Sequence, residues 1–135
     1  MPRLSVLAVS ARLPAWAETA CAEYARRMPK GYEVARVAVK NDKALRAALP
    51  RHARVVALDE RGKDCTTRQF ADLLKSETAF VIGGPDGLDA AVKREAALVL
   101  RLSSLTLPHA LAQVVLLEQI YRAASILTGH PYHRE

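Results

Sequence analysis

The sequence predicts an α/β domain with a mostly parallel sheet. Two observations predict this class: short runs that are apolar on both faces read as buried strands, and segments with helically spaced apolar residues alternate with them. Alternating strands and helices form parallel sheets that the helices cover. The 135 residues, half of them apolar, fit one domain. Because no repeat or linker interrupts the pattern, we expect a single domain over residues 1–135.

Three strands are predicted in the first half of the chain, at residues 4–9, 32–39 and 55–58. A helix between the first two begins at Pro14, and residues 29–31 (Pro-Lys-Gly) stop it. Its apolar residues recur at helical spacing and are Trp16, Ala20, Tyr24 and Met28. Cys21 falls on the apolar face of this helix and is expected in the core. Asp42 is predicted to cap a short helix ending near Pro50, and residues 59–62 are predicted to form a turn.

The second half continues the alternation. Thr66 and Gln69 have the spacing of a capping box, and an apolar stripe follows at Phe70, Leu73 and Leu74. A strand is expected at residues 79–82, ending at a glycine-rich turn over residues 83–87. A short helix follows at residues 90–97, and residues 98–102 fit either a fifth strand or the end of that helix. Pro108 opens the longest helix, which ends near Gly129.

Composition narrows the class of partner. The net charge is +6 and the pI is about 9.7, which favours a polyanionic partner without proving one. Aromatic residues make up only 5%, which argues against a module that stacks many bases of a single strand. The two cysteines form no CxxC pair, so we predict neither a metal site nor a disulfide. With no signal peptide and no apolar run of membrane-spanning length, we expect a cytoplasmic protein without a membrane partner.

Three segments follow predicted strands, at residues 58–60, 83–87 and 102–107. Ligands of open parallel sheets bind beyond the carboxyl ends of the strands, where these segments lie. The glycine-rich turn is not a GxGxxG or a phosphate-loop motif, and its spacing alone favours an ordinary strand-to-helix turn over a ligand-binding loop. Residues 103–108 mix hydroxyls with apolar side chains and fit either an adenine-binding loop or a helix cap.

Charged and aromatic residues at the end of the chain offer a second candidate site. Glu118 and Arg122 lie four residues apart and share one face of the longest helix. They fit either an exposed ion pair or part of a reaction centre. The final residues, 130–135, include two histidines and an arginine and either fray or fold over a site.

Taken together and in order, these segments resemble one family. The matching blocks span the chain and are residues 7–9, 23–27, 58–59, 82–88, 102–109, 118–123 and 130–135. They are similar to the small bacterial methyltransferases that modify N3 of a pseudouridine in 23S ribosomal RNA, members of the knotted SPOUT superfamily. This chain is shorter than those proteins, with a trimmed stretch between Val39 and Arg54.

The resemblance implies a deep trefoil knot in the C-terminal half, a homodimer, and S-adenosylmethionine as cofactor, with no metal. It also implies 23S ribosomal RNA, within the ribosome, as partner, and leaves no room for a separate RNA-binding domain. The positions implied to hold the cofactor are Leu58, Gly83, Gly84, Leu102, Ser103, Ser104, Leu105, Thr106 and Leu107.

The resemblance also places the tail residues Tyr132, His133 and Arg134 near the transferred methyl. N3 of pseudouridine carries a proton that has to leave as it is methylated, and His133 is the first candidate base. Arg134 and Arg122 are expected to stabilise the anionic base or to grip phosphate. Glu118 is expected to orient Arg122 or, ranked below His133, to act as the base.

Other readings stay open on the sequence alone. A methyltransferase of the same fold acting on another RNA, such as tRNA, would share the cofactor loops. A non-catalytic RNA- or ribosome-binding protein would have lost the cofactor. A flavodoxin-like nucleotide-binding domain would have an unknotted sheet.

Overall fold

Five parallel strands form one sheet in the order β2-β1-β4-β3-β5. The computed structural model describes residues 3–10 and 12–134. The strands are β1 (Leu4–Val9), β2 (Val34–Val39), β3 (Arg54–Lys63), β4 (Thr78–Ile82) and β5 (Leu98–Leu100). The helices are α1 (Ala15–Arg26), α2 (Asp42–Ala48), α3 (Thr67–Asp72), α4 (Ala90–Glu95) and α5 (His109–Thr128), and a 3-10 turn at Leu73–Lys75 follows α3. The predicted α/β class with a parallel sheet is confirmed.

The sheet separates two apolar layers. Side chains of a strand alternate between the two faces, so Leu4, Val6 and Ala8 of β1 pack on the α1 and α5 side. Leu7 and its neighbours in β3 and β4 pack instead with Leu45 of α2 and Val92 of α4. Every residue of β4 is buried, as expected for a central parallel strand covered on both faces.

The buried stripe of α1 differs from the predicted one at two positions, since Trp16 is exposed and Ala20 is only partly buried and lies outside the core clusters. Ala17 and Cys21 are fully buried, whereas Trp16 is 56% exposed. The stripe therefore runs through Ala17, Cys21 and Tyr24, the residues that meet the sheet and α5 at 3.6 residues per turn. The expectation that Cys21 lies in the core is confirmed, and the placement of Trp16 on the buried face is wrong.

Two helix starts follow from their capping residues. Thr66 and Gln69 form the predicted capping box, with Gln69 N donating to Thr66 Oγ1 over 3.1 Å. At α2 the cap is Asn41, whose side-chain oxygen accepts from Ala44 N over 2.8 Å. Asp42, predicted as the cap, is the first residue inside the helix. An amide oxygen caps a helix as well as a carboxylate does, so the neighbouring side chain took the role.

The predicted turn at residues 59–62 is wrong, because β3 continues through it to Lys63. The pairing of β3 with β5 shifts register between Leu58 and Lys63, so this stretch is an irregular extension of the strand. A Cβ atom at Gly62 would lie 2.5 Å from the carbonyl carbon of Leu100, so only glycine allows this approach. The open alternative at residues 98–102 resolves as a strand, Leu98–Leu100.

Helix α5 is the longest element and packs against α1 and α3. It ends at Gly129, whose φ of 75° is the left-handed conformation that favours glycine after a helix. By length and composition α5 also meets the criteria for a membrane-spanning helix, contrary to the expectation that no apolar run is long enough. Its apolar side chains nevertheless have a place in the core, since Leu116, Leu117 and Ile120 are fully buried.

Candidate cofactor and catalytic site

A cavity of about 110 Å³ lies at the carboxyl ends of the strands. Its wall combines Leu58 of β3, Ile82 of β4, and Leu102 and Leu105 from the loop between β5 and α5. These residues come from three distant parts of the chain and meet because parallel strands end at the same edge of the sheet. Leu105 is 75% exposed although it is a large apolar residue, so it forms an apolar lip on this cavity.

The structure brings most of the predicted cofactor residues together. Those that line the cavity are Leu58, Leu102, Ser103, Leu105 and Leu107. Ser104 and Thr106 belong to the same loop, but their side chains are exposed and lie outside the wall. Gly83 and Gly84 directly follow Ile82 in the chain and do not line the cavity themselves.

The turn after β4 depends on the small size of Gly83. A Cβ atom there would lie 2.4 Å from the carbonyl carbon of Gly87 and 2.5 Å from the nitrogen of Leu88. The turn is closed by a hydrogen bond from Gly87 N to the carbonyl of Gly84 over 2.9 Å, and Gly87 has a φ of 81°. Gly84 is less constrained, since its nearest contact would be 3.3 Å away, at the carbonyl oxygen of Val9.

Charged groups stand at one side of the cavity. Asp59 and Glu60 line it together with Arg101. Asp59 accepts from the backbone nitrogen of Arg61 over 3.2 Å and lies 3.8 Å from the Lys93 ammonium. The Arg101 guanidinium is itself paired with Asp64. Two carboxylates beside an apolar wall suit a ligand that carries a positive charge and an aromatic base.

A second, larger cavity of about 690 Å³ lies between β1, β2 and α1 and is lined by none of the predicted cofactor residues. Its polar groups include Arg12 and Arg36, and Arg36 forms a two-point ion pair with Glu18 over 2.9 Å at each contact. The positive excess there makes it a poorer place for a cationic ligand than the cavity bearing Asp59 and Glu60. Size alone therefore does not identify the cofactor site.

The end of the chain folds back on α5 and forms a polar cluster. Arg122 donates to Glu118 Oε2 through Nε over 3.1 Å and through Nη2 over 2.6 Å. The Tyr132 hydroxyl donates to the same oxygen over 2.9 Å. The guanidinium of Arg122 also lies over the Tyr132 ring, 4.7 Å from its centre, which adds a cation–π contact. Glu118, Arg122 and Tyr132, three predicted catalytic residues, thus form one unit.

His133 joins this cluster through Arg122, whose Nη1 lies 3.2 Å from His133 Nδ1. A guanidinium only donates, so Nδ1 accepts and the proton of the neutral ring is assigned to Nε2. Arg134, the remaining predicted catalytic residue, is exposed at the end of the tail. The order of contacts is therefore Glu118 to Arg122 to His133, with Tyr132 bracing the first two.

The cluster sets the charge of its members. Burial raises the pKa of Glu118, but hydrogen bonds from Arg122 and Tyr132 outweigh burial and hold that pKa below its usual range. Burial and the Glu118 carboxylate raise the pKa of Tyr132, which keeps the phenol protonated at neutral pH. A carboxylate with a lowered pKa is a weak proton acceptor, so Glu118 suits an orienting role better than that of a base.

The cluster and the cavity occupy different levels of α5. Ala112, the α5 residue that lines the cavity, precedes Glu118 by six residues and Arg122 by ten. At 1.5 Å per residue these separations are about 9 and 15 Å along the helix. Six residues are not a whole number of turns, so Ala112 and Glu118 also lie on different faces. Within one protomer, the tail cluster does not sit on the cavity.

Some lining residues escaped the prediction. Ile82, Arg101 and Ala112 line the cavity but were not singled out as site residues, and Asp59 and Glu60 were noted only as a strand-end segment. Ile82 is the last residue of β4 and Arg101 directly follows β5, so their position at the carboxyl ends of strands is the signal that could have identified them. Among residues 3–10 and 12–134, no group of three or more His, Cys, Asp or Glu side chains is placed to hold a metal ion.

Known proteins resemble this chain over nearly its whole length. "Ribosomal RNA large subunit methyltransferase H" of Paracidovorax citrulli is 46% identical over 154 aligned positions, covering 98% of this chain and 99% of that protein. The protein of the same name from Polynucleobacter asymbioticus is 46% identical over 146 positions with the same coverage. Both alignments are longer than the 135 residues of this chain, so these relatives contain residues that it lacks.

Solved structures share the fold. The SpoU methyltransferase AviRb from Streptomyces viridochromogenes, in complex with the cofactor AdoMet, has a TM-score of 0.54 at 18% identity and covers 88% of this chain and 57% of its own. A probable methylase family protein from Haemophilus influenzae has a TM-score of 0.62 at 14% identity, covering 98% of this chain and 70% of its own. At these identities the likeness concerns the fold.

A family model described as "Predicted SPOUT methyltransferase" matches residues 2–133. The match spans both the strand-end cavity and most of the tail that packs on α5. The family that the sequence blocks resembled is thereby confirmed, and the chain belongs to the SPOUT methyltransferases.

Proposed function

We propose that this protein transfers a methyl group from S-adenosylmethionine to N3 of a pseudouridine in 23S ribosomal RNA. The observation that carries the proposal is the convergence of Leu58, Ile82 and Leu105 on one cavity at the strand ends. The names of the relatives, which are 46% identical over nearly the whole chain, point to the large ribosomal subunit as the source of the substrate.

The cavity suits the cofactor chemically. Its apolar wall of Leu58, Ile82 and Leu105 matches the faces of an adenine ring, and Asp59 and Glu60 match the cationic end of the molecule. When bound, the cofactor supplies a methyl group already activated by its sulfonium charge. The protein therefore needs no metal for this chemistry, and its residues have to bind, orient and manage one proton.

The C-terminal tail is proposed to remove the proton from N3 of the pseudouridine. N3 lies between two carbonyls, and its proton has to leave as the new N–C bond forms. His133 is the candidate base, and its Nδ1 lone pair becomes available once Arg122 turns from the imidazole to the RNA. Arg134 is exposed and carries a permanent charge, so it suits the anionic base or a neighbouring phosphate. Glu118 orients Arg122 in this scheme.

The active protein is proposed to be a homodimer in which the tail of one protomer serves the cavity of its partner. The separation of Ala112 from Glu118 and Arg122 along α5 supports this, since a protomer's own tail lies about 9–15 Å away along the helix. A small chain that has to hold both a cofactor and an RNA gains surface by sharing its site.

The substrate form is proposed to be the assembled ribosome in the cytoplasm. A net charge of +6 favours phosphate contacts, while the low aromatic content disfavours the capture of free single strands. The domain over residues 1–135 is proposed to recognise its target by shape and backbone contacts. The C-terminal half is proposed to be knotted, as in its family.

The decisive test compares 23S ribosomal RNA from a deletion strain and its parent by mass spectrometry. Loss of one methylated pseudouridine, restored by the cloned gene, is the expected result. A methyl group lost from tRNA instead would assign the enzyme another RNA. An unchanged RNA together with no cofactor binding in calorimetry would make it a non-catalytic binding protein.

A further inference from the structure

Helix α1 contributes an aromatic residue, Tyr24, to the surface on which the C-terminal tail packs. Tyr24 of α1 and Tyr121 of α5 lie with ring centres 6.0 Å apart, and Tyr121 meets the edge of the Tyr132 ring at 4.7 Å. The neighbouring Tyr24 also contributes to raising the pKa of the Tyr132 hydroxyl. Three tyrosines from α1, α5 and the tail therefore contact one another in sequence, and the last one donates to Glu118.

The tail depends on such side-chain contacts because few backbone hydrogen bonds join it to α5. Beyond Gly129, the His130 nitrogen donates to the carbonyl of Ser125 over 2.9 Å, and residues 131–134 have no regular secondary structure. A short irregular segment at a chain end is ordered only by its side-chain contacts. Tyr132 supplies these contacts, since one of its sides faces Arg122 and another faces Tyr121.

The role of α1 is specific to Tyr24. On the same helix turn, Glu23 is occupied with Arg26 and Arg27, at 2.8 Å each, on the exposed side. Tyr24 points instead to the α5 side, where it packs against the core that contains Leu116 and Leu117. It is thus the α1 residue that joins the core to the C-terminal tail.

We propose that Tyr24 is a positioning residue of the methyltransferase, which holds Tyr132 so that His133 and Arg134 face the target base. The inference rests on the proposed function and extends it to a residue more than a hundred positions away from the tail. Tyr24 acts through Tyr121 and Tyr132, not on the cofactor. Losing it therefore slows the methyl transfer step and leaves cofactor binding unchanged.

The test compares Tyr24→Leu and Tyr24→Phe in the full-length protein with the matched control Tyr32→Leu. Tyr32 is also a partly buried tyrosine packed against the same core, and no ring contact with the tail is recorded for it among the described residues. We expect Tyr24→Leu to lower the single-turnover rate on ribosomes roughly 10- to 100-fold, the cost of a small misplacement. Cofactor affinity by calorimetry should stay within about twofold of wild type, because none of the three tyrosines lines the cavity.

The Phe variant separates the ring from the hydroxyl. Tyr24→Phe keeps the packing on Tyr121, so recovery of most of the rate assigns the anchoring to the ring. An equal loss in the Phe and Leu variants assigns it to the hydroxyl, and both results support a positioning role. Hydrogen exchange gives a readout without turnover: the His130 amide, which donates to the Ser125 carbonyl, should exchange faster in Tyr24→Leu, while the amides of β4 stay protected.

A double-mutant cycle with Tyr132→Ala tests whether the two residues act as one unit. If Tyr24 acts through Tyr132, the double variant should be no slower than Tyr132→Ala alone. Additive losses, a wild-type rate in Tyr24→Leu, or an equal loss in Tyr32→Leu would each overturn the inference. A wild-type protein that does not methylate ribosomes would instead refute the proposed function, and unchanged tail exchange in Tyr24→Leu would refute the positioning role independently.

Discussion

Tyr132 and Glu118, fourteen positions apart, are joined by a 2.9 Å hydrogen bond to the same carboxylate oxygen that Arg122 contacts. This shared oxygen ties the irregular end of the chain to a fixed point on α5. It also explains why a carboxylate that is half withdrawn from water stays ionised. The relationship leads to predictions about acid sensitivity, proton transfer and the cofactor loops.

The tail is predicted to detach from α5 in acid. The pKa of Glu118 in the folded protein lies below its ordinary value of 4.5, so this carboxylate stabilises the fold above that value. The stabilisation is lost as the pH falls through the lower, folded-state pKa. The ring protons of Tyr132, followed by NMR from about pH 6 to pH 3, should move toward random-coil shifts as Glu118 is protonated.

The control for acid sensitivity is Glu118→Gln, which is uncharged throughout this range. Its Tyr132 resonances should already lie nearer the detached position at neutral pH and change little with acid. A wild-type tail that keeps its native shifts after Glu118 has titrated would show that the packing of Tyr121 and Tyr132 is sufficient without the charge.

Proton transfer is predicted to depend on His133 more than on Glu118. His133→Ala should lower the single-turnover rate at saturating cofactor by about 10²- to 10⁴-fold, the usual contribution of a general base. His130→Ala is the matched control, since His130 is an exposed histidine of the same segment. Wild-type rates in both His133→Ala and Glu118→Ala would remove the base assignment altogether.

The two glycines after β4 are predicted to differ in their tolerance of a methyl group. Gly83→Ala places a Cβ atom 2.4 Å from the carbonyl carbon of Gly87. Because the contacted atom belongs to the backbone, no side-chain rotation can relieve the clash. We expect it to lower the free energy of unfolding by about 1–3 kcal/mol and to abolish cofactor binding. Gly84→Ala meets its nearest atom at 3.3 Å and should cost much less. Thermal melts and calorimetry measure both effects, and equal losses in the two variants would contradict the geometry.

Leu105 is predicted to matter for the cofactor and not for the fold. Its side chain is 75% exposed, so Leu105→Ala should change the free energy of unfolding by no more than about 0.5 kcal/mol. If adenine covers this side chain, the same change should weaken cofactor binding by about 1 kcal/mol, which is about fivefold. Thr106→Ala, in the same exposed loop but outside the wall, is the control. Identical affinities of the two variants would place the adenine elsewhere.

The sequence was a good guide where one local rule decides the outcome. Four of the five strands, the Thr66 capping box and the end of α5 at Gly129 follow from period, caps and glycine, whereas residues 98–102 fitted either a strand or a helix end. Strand ends also predicted the cavity, since parallel strands bring their carboxyl ends to one edge. The extended course of residues 59–62 could not be predicted from their polar, turn-like sequence, because it depends on the pairing of the flanking residues Leu58 and Lys63 with Leu100 of β5.

The tail cluster was predicted as a set of residues but not as a network. The spacing of Glu118 and Arg122 reveals their pairing, whereas the hydrogen bond from Tyr132 requires the chain to reverse at Gly129. The contacts among Tyr24, Tyr121 and Tyr132 depend on how α1 lies against α5, and no local sequence pattern specifies that packing. The blocks at residues 23–27, 118–123 and 130–135 contain the three tyrosines, but the resemblance assigned no role to Tyr24 or Tyr121.

The strand order β2-β1-β4-β3-β5 determines when the protein becomes competent during synthesis. One edge of β1 has no partner until residues 78–82 leave the ribosome, because Leu4 pairs with Thr78. The edge of β3 that faces away from β4 has no partner until residues 98–100 have also been synthesised. Contacts of such long sequence separation form slowly, so the nascent chain spends most of its translation with open strand edges. The strand-end cavity needs the ends of β3 and β4 and the loop between β5 and α5, so it is assembled late in synthesis. A truncated or stalled chain therefore cannot sequester the methyl donor.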